Sequence, residues 1–476
     1  MRLPPHKTKI VCTIGPASNS PAVMEQMLKA GMNVARLNFS HGDFAGHRSV
    51  IDSLRAAERA TGRRLTIMAD LPGPKMRIGH LKQEPIHLKA GGDFTLTAGN
   101  TDGDEAGVST NFDRLAKRVK PGDALFLNDG LIHLEVRRTV GKDVHCCVIV
   151  GGELRSKKGL NLPDIDLGIS AFTEHDYECL KFALENGVDA ISQSFVESAA
   201  DIEAVREAAA SLGCHPFIVA KVERSRALKA IEEIVRAADG IMIARGDLGV
   251  ELPIEQITAV QKQVVRLSNR MAKPVITATQ MLESMISNRR PTRAEATDVA
   301  NAILDGTDCV MLSGESAIGN YPVDAVAMLS RIATATESYL SPISAKEMFA
   351  GIDLRDKVPT ERLIDLAVET VLEYAPRAFV FARTHSGKTA RSIARFRLPT
   401  WIIAVSSNEA SCRHLQFSFG VQAIHEAEPP KDWRAYSQGW LRAHGLEANL
   451  VVLTQGRTTS ESEANYTMEI LKLNGK

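Results

Sequence analysis

Net charge is missing from this sequence. Its 57 Lys plus Arg are matched by 57 Asp plus Glu among 476 residues, so no global field gathers a polyanion, and nucleic acid is excluded as the main partner. Long apolar runs are also missing. None approaches the ~18 residues that would span a bilayer, and the start MRLPPHKTKIVCTIG carries no cleavable apolar segment. Both absences point away from membranes and to the cytoplasm. Cysteine is sparse, with 7 residues scattered except for the adjacent Cys146 and Cys147; no CxxC pair or His spacing suits zinc, and reduced thiols are expected. There is no internal repeat and no low-complexity tract. What remains is 44% hydrophobic and 24% charged residues, the composition of a folded globular protein. At ~150 residues per domain, the length corresponds to about three domains.

Short β-rich apolar runs alternate with helix-period segments over most of the first 340 residues. The runs Ile10 to Gly15, Val34 to Phe39, Thr66 to Leu71, Ala190 to Phe195, Phe217 to Glu223, Gly240 to Asp247, Pro274 to Gln280 and Cys309 to Glu315 predict eight strands. All but the third are followed directly by an amphipathic stretch, such as Ser198 to Ala210 or Ile254 to Arg270. Eight such units predict an α/β fold, a closed (β/α)₈ TIM barrel, over residues 1–71 and 167–340. After the third strand, residues 72–166 have alternating patterns such as ALFLNDGLIHLEV. They predict an inserted small β-barrel domain on the catalytic face, hinged at Pro72, Gly73 and Pro74 and at NLPDIDLG, and able to act as a lid. The helical pattern breaks at SPISAKEMFAG. Residues 352–476 then predict a third domain, with a helix from Lys357 to Glu373 and strands at Ala378 to Ala382, Trp401 to Val405 and Asn449 to Leu453 forming an open α/β sheet.

In such a barrel, functional side chains gather at the carboxyl ends of the strands. Six predicted strands end in polar or charged residues: Arg36, Asn38, Ser40 and His41; Asp70; Lys221 and Glu223; Arg245, Gly246 and Asp247; Thr279 and Gln280; Ser313 and Glu315. Capping explains one such residue but not six strands carrying them at the same end. Glu223 and Asp247 end adjacent strands and offer hard oxygen ligands to a divalent ion, for which Mg²⁺ is suited. Lys221 shares a strand face with Glu223, and a lysine there needs negative charge to face, which a transferring phosphate or an enolate provides. In ARGDLGVELP, the backbone N–H groups near Gly246 and Gly249 can hold a small carboxylate, with the Thr279 hydroxyl one strand away. Arg36, His41, Arg77 and Lys158 add donors for phosphate oxygens. Lys157 and Lys158 lie at the far end of the insertion, so closure would bring a cation to the phosphates and exclude water.

The stretches TKIVCTIGPAS, GMNVARLNFSHG, ARGDLG, ATQMLESM, PTRAEATDVAN and MLSGES, in this order from about residue 8 to 340, together resemble pyruvate kinase. The resemblance implies transfer of the phosphoryl group of phosphoenolpyruvate to ADP, the terminal ATP-forming step of glycolysis, followed by protonation of the enolate to pyruvate. It implies Lys221 as the residue neutralising the transferring group and the enolate oxygen, and Glu223 and Asp247 as ligands of Mg²⁺, or of Mn²⁺ in its place. It further implies Gly246, Asp247 and Thr279 at the substrate carboxylate, Arg36 at the phosphoryl group, and Asn38, Ser40, His41, Arg77 and Lys158 at the nucleotide phosphates. A second Mg²⁺ would arrive with ADP. Protonation is expected through water near Thr279 and Ser313. Many members bind K⁺ through the equivalents of Asn38, Ser40 and Asp70. Here Lys75 stands where potassium-requiring members carry Glu, and Leu71 and Ile78 resemble the potassium-independent branch. A tethered ammonium would replace the ion, so K⁺ is not expected to be required.

The last domain resembles the family's regulatory domain. Thr384, Ser386, Gly387, Lys388 and Thr389 form a hydroxyl- and amide-rich turn before a helix, a cradle for a phosphorylated effector such as a sugar phosphate or nucleoside monophosphate. The loop Thr454 to Ser462 is expected to close over it. A homotetramer is expected by analogy. Two other readings address part of this pattern: a Mg²⁺-dependent aldolase or lyase on the same barrel, and a non-catalytic metabolite sensor. The first leaves Arg36, Lys221, Arg77 and the insertion with little to do. Intact Lys221, Glu223, Asp247 and Thr279 argue against the second.

Overall fold

The computed structural model describes residues 3–349, 360–375, 377–455 and 466–473. Eight parallel strands close into a barrel in chain order: Lys9–Thr13, Val34–Asn38, Thr66–Leu71, Ala190–Gln193, Phe217–Val222, Gly240–Ala244, Val275–Ala278 and Cys309–Leu312. The strands read as unbroken apolar runs because both faces are buried. Alternate residues separate accordingly. Ile10, Cys12, Ile67, Ala69, Ile218 and Ala220 pack outward against the helices, whereas Val11, Val34, Met68, Ala190, Val219 and Met311 fill the interior. Continuing the interior set by twos reaches Thr13, Arg36, Asp70, Ser192, Lys221 and Ser313 at the carboxyl ends. The polar mouth is thus the top of the same stack whose lower layers are apolar.

Local signals fix the helices between the strands. The helix Pro21–Ala30 starts with the Ser20 side chain accepting from the Val23 amide and stops at Gly31, whose φ of 131° turns the chain into the second strand. The helix Glu174–Glu185 carries a reciprocal capping box between Thr173 and Asp176. Asp176, fully buried, also accepts the Gly73 amide at 2.9 Å, which ties the outgoing end of the insertion to the helix that follows its return.

The insertion folds into a six-stranded sheet in the order Leu160–Asn161, Ala124–Leu127, Ile132–Val140, Asp143–Val150, Asp93–Ala98 and Gly107–Thr110, plus a two-stranded ribbon. Isolated bridges from Arg77 to Gly159 and from Ile78 to Thr110 bring the two edges of that sheet to one short segment. The C-terminal sheet has four parallel strands, in the order Val421–His425, Ile402–Ser406, Phe379–Arg383 and Leu450–Gln455, with Thr467–Lys472 added antiparallel at its edge.

Several sequence expectations need correction. The strand read as Gly240 to Asp247 stops at Ala244, and Arg245–Glu251 is a short helix. The last barrel strand stops at Leu312, with Gly314–Ala317 helical. The helix expected from Ile254 begins as a 3₁₀ turn and becomes α-helical at Ile257. In the C-terminal sheet, two strands went unread. Thr467–Lys472 lies at an edge with neither face fully covered, so it lacks the apolar alternation of a core strand. Val421–His425 is brief and has only two buried positions. The helix expected from Lys357 to Glu373 is Thr360–Tyr374, with residues 357–359 outside the described ones.

The C-terminal sheet is joined to the amino-terminal, closed end of the barrel. Phe417 enters the interior cluster and stacks on Phe217 at 4.9 Å between ring centroids. Lys9 Nζ donates to the Val421 carbonyl at 2.8 Å. Arg397, almost fully buried, donates to both Asp308 oxygens at 3.0 and 2.8 Å and to Asn269 Oδ1 at 2.7 Å. Removing one partner would leave the other charge buried without compensation. Arg397→Met is therefore expected to destabilise the assembly by about 3–5 kcal/mol and to lower the first thermal transition by on the order of 10 °C. Scanning calorimetry checks this, and an unchanged first transition would refute it.

Candidate active site

The barrel mouth is organised around one buried ammonium. Lys221 Nζ lies 2.8 Å from Glu223 Oε1 and 3.3 Å from each Asp70 oxygen, and donates to Ser194 Oγ at 2.6 Å. Arg36 closes the other side of Asp70: its Nε donates to Oδ2 at 2.9 Å and its Nη2 makes a second, shorter contact with the same atom. Arg36 Nη1 donates to Thr13 Oγ1 at 2.9 Å, and that hydroxyl donates to the Leu312 carbonyl at 3.0 Å. The group thus spans the first, second, third and fifth barrel strands, with Ser194 just past the fourth. Thr13 and Ser194 were not singled out from the sequence. The available signal was parity, because they continue the inward series of Val11 and of Ala190.

Burial and charge act in opposite directions on these groups. At Asp70, burial favours the neutral acid, but Arg36 and Lys221 outweigh it and hold the carboxyl below its ordinary range. At Lys221, burial favours the neutral amine, but Asp70 and Glu223 carry the ammonium above its ordinary value. Glu223 is raised, chiefly by burial; Lys221 opposes the rise and Asp247 adds to it. Lysine and Asp70 therefore stay charged, and Glu223 is the member whose charge is least compensated.

Glu223 has one oxygen on Lys221 and accepts the Phe195 amide at 2.8 Å on the other. Asp247 lies in the first turn of the helix Arg245–Glu251 and, among the described residues, has no hydrogen bond or ion pair of its own. Glu223, whose charge Asp247 makes costlier, and Asp247, without a partner, form a donor set that fits Mg²⁺, a hard cation that keeps several positions for water and substrate oxygens. No group of three or more His, Cys, Asp or Glu side chains gathers as a metal site among the described residues. The pair would be the protein's share of the coordination.

Thr279 has a φ of 69°, a conformation that costs a β-branched residue free energy. Arg245 holds it there by donating to the Ala278 and Thr279 carbonyls at 3.3 and 2.7 Å while pairing with Asp298 at 2.7 Å. The Gly246 amide, expected to be open to a substrate carboxylate, instead donates to Thr279 Oγ1 at 2.8 Å. Hydroxyl and amide are therefore adjacent, as expected, but both have internal partners: the hydroxyl accepts from the amide and donates to the Ala278 carbonyl at 2.6 Å. Ser313 lies at the end of the eighth strand with its amide on Glu315 Oε2 at 2.7 Å. Glu315, one of the strand-end acids, is turned to backbone: it also accepts the Leu282 amide at 2.9 Å.

The remaining expected residues fall in two groups. Asn38 pairs in register with Asp70, and its Oδ1 accepts the Ser40 amide at 3.1 Å; Ser40 and His41 are exposed beside them. Arg77 and Lys158 face each other across the insertion: the Ile78 amide donates to the Lys158 carbonyl at 3.0 Å and Arg77 Nη1 to the Lys157 carbonyl at 2.8 Å. Leu71 is buried at the end of the third strand. Lys75 is not brought to Asp70. Its side chain is exposed, and the cations on Asp70 are Arg36 and Lys221. In the C-terminal sheet, the Gly387 amide donates to Thr384 Oγ1 at 2.9 Å in a turn that exposes Ser386 and Lys388, with Thr389 half-buried behind them. Residues 456–462 of the expected closing loop lie outside the described residues. All seven cysteines are free, and no helix among the described residues is long and apolar enough to cross a membrane.

Comparison with known proteins agrees with this geometry. Residues 5–326 match the family model described as the pyruvate kinase barrel domain, and residues 361–471 match the one for the pyruvate kinase alpha/beta domain. A pyruvate kinase of Thermococcus litoralis is 44% identical over 99% of this chain and 100% of its own length. One of Mycobacterium intracellulare is 42% identical over 87% of each. A crystal structure of a pyruvate kinase from Cryptosporidium parvum superposes with a TM-score of 0.92 at 32% identity, covering 99% of this chain and 97% of that one. With both family models in order along the chain and a barrel mouth that unites Arg36, Asp70, Lys221 and Glu223, the chain belongs to the pyruvate kinase family.

Proposed function

We propose that this chain moves the phosphoryl group of phosphoenolpyruvate to ADP, giving ATP and pyruvate, through charge neutralisation in the barrel mouth. The observation that carries this reading is the Lys221 ammonium, buried at the mouth and held between Asp70 and Glu223. Phosphoryl transfer requires positioning and electrostatic stabilisation more than covalent chemistry from the protein. Lys221, kept protonated by its two carboxylates, faces the transferring group and the enolate oxygen. Arg36, fixed by Asp70 and Thr13, presents guanidinium to the same phosphoryl oxygens. Thr279, Gly246 and Asp247 orient the substrate carboxylate once the Thr279 hydroxyl exchanges its internal partners for the substrate. Glu223 and Asp247 would hold Mg²⁺, or Mn²⁺, which supplies positive charge to substrate oxygens.

Asn38, Ser40 and His41 on the barrel, with Arg77 and Lys158 on the insertion, receive the nucleotide phosphates, and closure of residues 72–166 over 1–71 and 167–340 excludes water. After transfer, a water held near Thr279 and Ser313 returns a proton to the enolate carbon. Residues 352–476 form the regulatory unit of a cytoplasmic homotetramer, with a phosphorylated effector at Thr384, Ser386, Gly387, Lys388 and Thr389. Asn38, Ser40, Asp70 and Leu71 form the monovalent-cation corner, and Lys75 supplies its charge as the insertion closes.

Three outcomes are expected. In a coupled assay with phosphoenolpyruvate, ADP and Mg²⁺, Lys221→Met loses about 10²–10³-fold in kcat while still binding phosphoenolpyruvate; unchanged turnover would remove the lysine from the chemistry. Full activity is expected in sodium- and potassium-free buffer, and a strict requirement for added K⁺ would refute the Lys75 assignment. Titration with sugar phosphates and nucleoside monophosphates should activate wild type but not Lys388→Ala, and coincident curves would eliminate that effector site.

A further inference from the structure

The chain spends a fully buried arginine one residue beyond Glu223. Arg224 is 2% exposed and touches no substrate-facing group. Its Nη2 donates to the carbonyls of Leu162 and Ile165, both at 3.0 Å, in the segment through which the insertion returns to the barrel. Its Nε lies 3.1 Å from Glu197 Oε1 and 3.7 Å from Glu251 Oε2. Each partner belongs to a different part of the mouth. Glu197 follows Phe195, whose amide binds Glu223. Glu251 ends the short helix whose first turn carries Asp247.

The neighbouring residue repeats the link. Ser225 Oγ donates to Asp164 Oδ1 at 3.1 Å and accepts from the Asp164 amide at 3.3 Å, and the Ser225 amide donates to Glu251 Oε2 at 3.4 Å. Asp164 itself has a φ of 59°, so the return segment is a tight turn held in a conformation that non-glycine residues rarely adopt. On the outgoing side, the hinge packs against the same ground: a Cβ on Gly73, where φ is 65°, would come within 2.8 Å of the Phe195 ring.

We infer that Arg224 is a positioning residue that sets the angle of the insertion relative to the Glu223 and Asp247 carboxylates. A planar guanidinium can donate to two carbonyls of a turn while facing two carboxylates, and an ammonium cannot reproduce that fork. Burying such a group costs desolvation, which the two carbonyls and two acids offset only if the hinge stays seated. Because Arg77 and Lys158 ride on the insertion, whereas Arg36, Lys221 and Thr279 ride on the barrel, a loosened hinge would misplace the nucleotide side and spare the phosphoenolpyruvate side. This rests on the phosphoryl-transfer reading, which the wild-type rate with phosphoenolpyruvate and ADP tests separately.

The test compares KM for ADP with the equilibrium dissociation constant for phosphoenolpyruvate, in wild type, Arg224→Met, Arg224→Lys and Ser225→Ala. The ratio of the two constants is expected to rise about tenfold in Arg224→Met, with Arg224→Lys failing to restore it. Ser225→Ala, which removes only the hydroxyl tether, should raise the ratio by about threefold and carries the test if the arginine variants do not fold. A ratio unchanged from wild type in the soluble variants, whether both constants move together or neither moves, would overturn the assignment.

Discussion

A lysine ammonium cannot lie at a barrel mouth on its own. Removing it from water costs several kcal/mol, and at Lys221 that cost is met by Asp70 and Glu223 in direct contact and Asp247 further off. The rest of the site follows from this one constraint. Asp70 then needs a second cation, which Arg36 provides, and Arg36 needs a fixed plane, which Thr13 provides. The result is a set of rigid charges, with Arg36, Asp70 and Lys221 borne on strands and Glu223 on the residue just past one, so the field a substrate meets is formed before it arrives. Glu223, which burial and Asp247 raise against the pull of Lys221, and Asp247, without a partner among the described residues, mark where added positive charge is favourable.

Much of this was legible in the sequence because strand periodicity is simple. The eight apolar runs gave the barrel, and the residues at their carboxyl ends included Arg36, Asp70, Lys221 and Glu223, which the fold brings into contact. The reading stopped where spacing carries no information. ARGDLG continues an apolar strand, and nothing in its composition marks Ala244 as the last extended residue; the switch to helix comes from tertiary contacts, with Arg245 drawn to Asp298 and to the Thr279 carbonyl. Thr13 and Ser194 are small hydroxyls whose role exists only once their strands close beside Arg36 and Lys221. Lys75 is the converse case: its neighbours in sequence single it out, but it is exposed at a hinge, where position along the chain does not determine which way a side chain faces.

The two ends of the barrel serve different purposes through the same strands. At the carboxyl ends, inward positions carry charge and the chain departs into the insertion. At the amino ends, inward positions are apolar apart from Lys9 and Thr66, which donate to carbonyls of the C-terminal segment, and this end is capped by a ring from elsewhere in the chain. Conformational freedom and chemistry are thereby kept at one pole and packing at the other. The strain at Thr279 and the tight turn at Asp164 both lie at the active pole, where the surrounding ion pairs fix them.

Phe417 also sets what can be cut away. It is part of the barrel's own floor although it comes from the last quarter of the sequence. Lys9, whose ammonium burial has already pushed down to about 8, spends its hydrogen bond on a carbonyl of that same late segment. A fragment ending at the last barrel helix would open the floor to water beneath Phe217 and strand a buried lysine and the Asp308 carboxylate without their partners. The familiar eight-fold unit is therefore not a self-sufficient piece of this polypeptide, and its foundation is laid by residues well beyond its last strand in the chain.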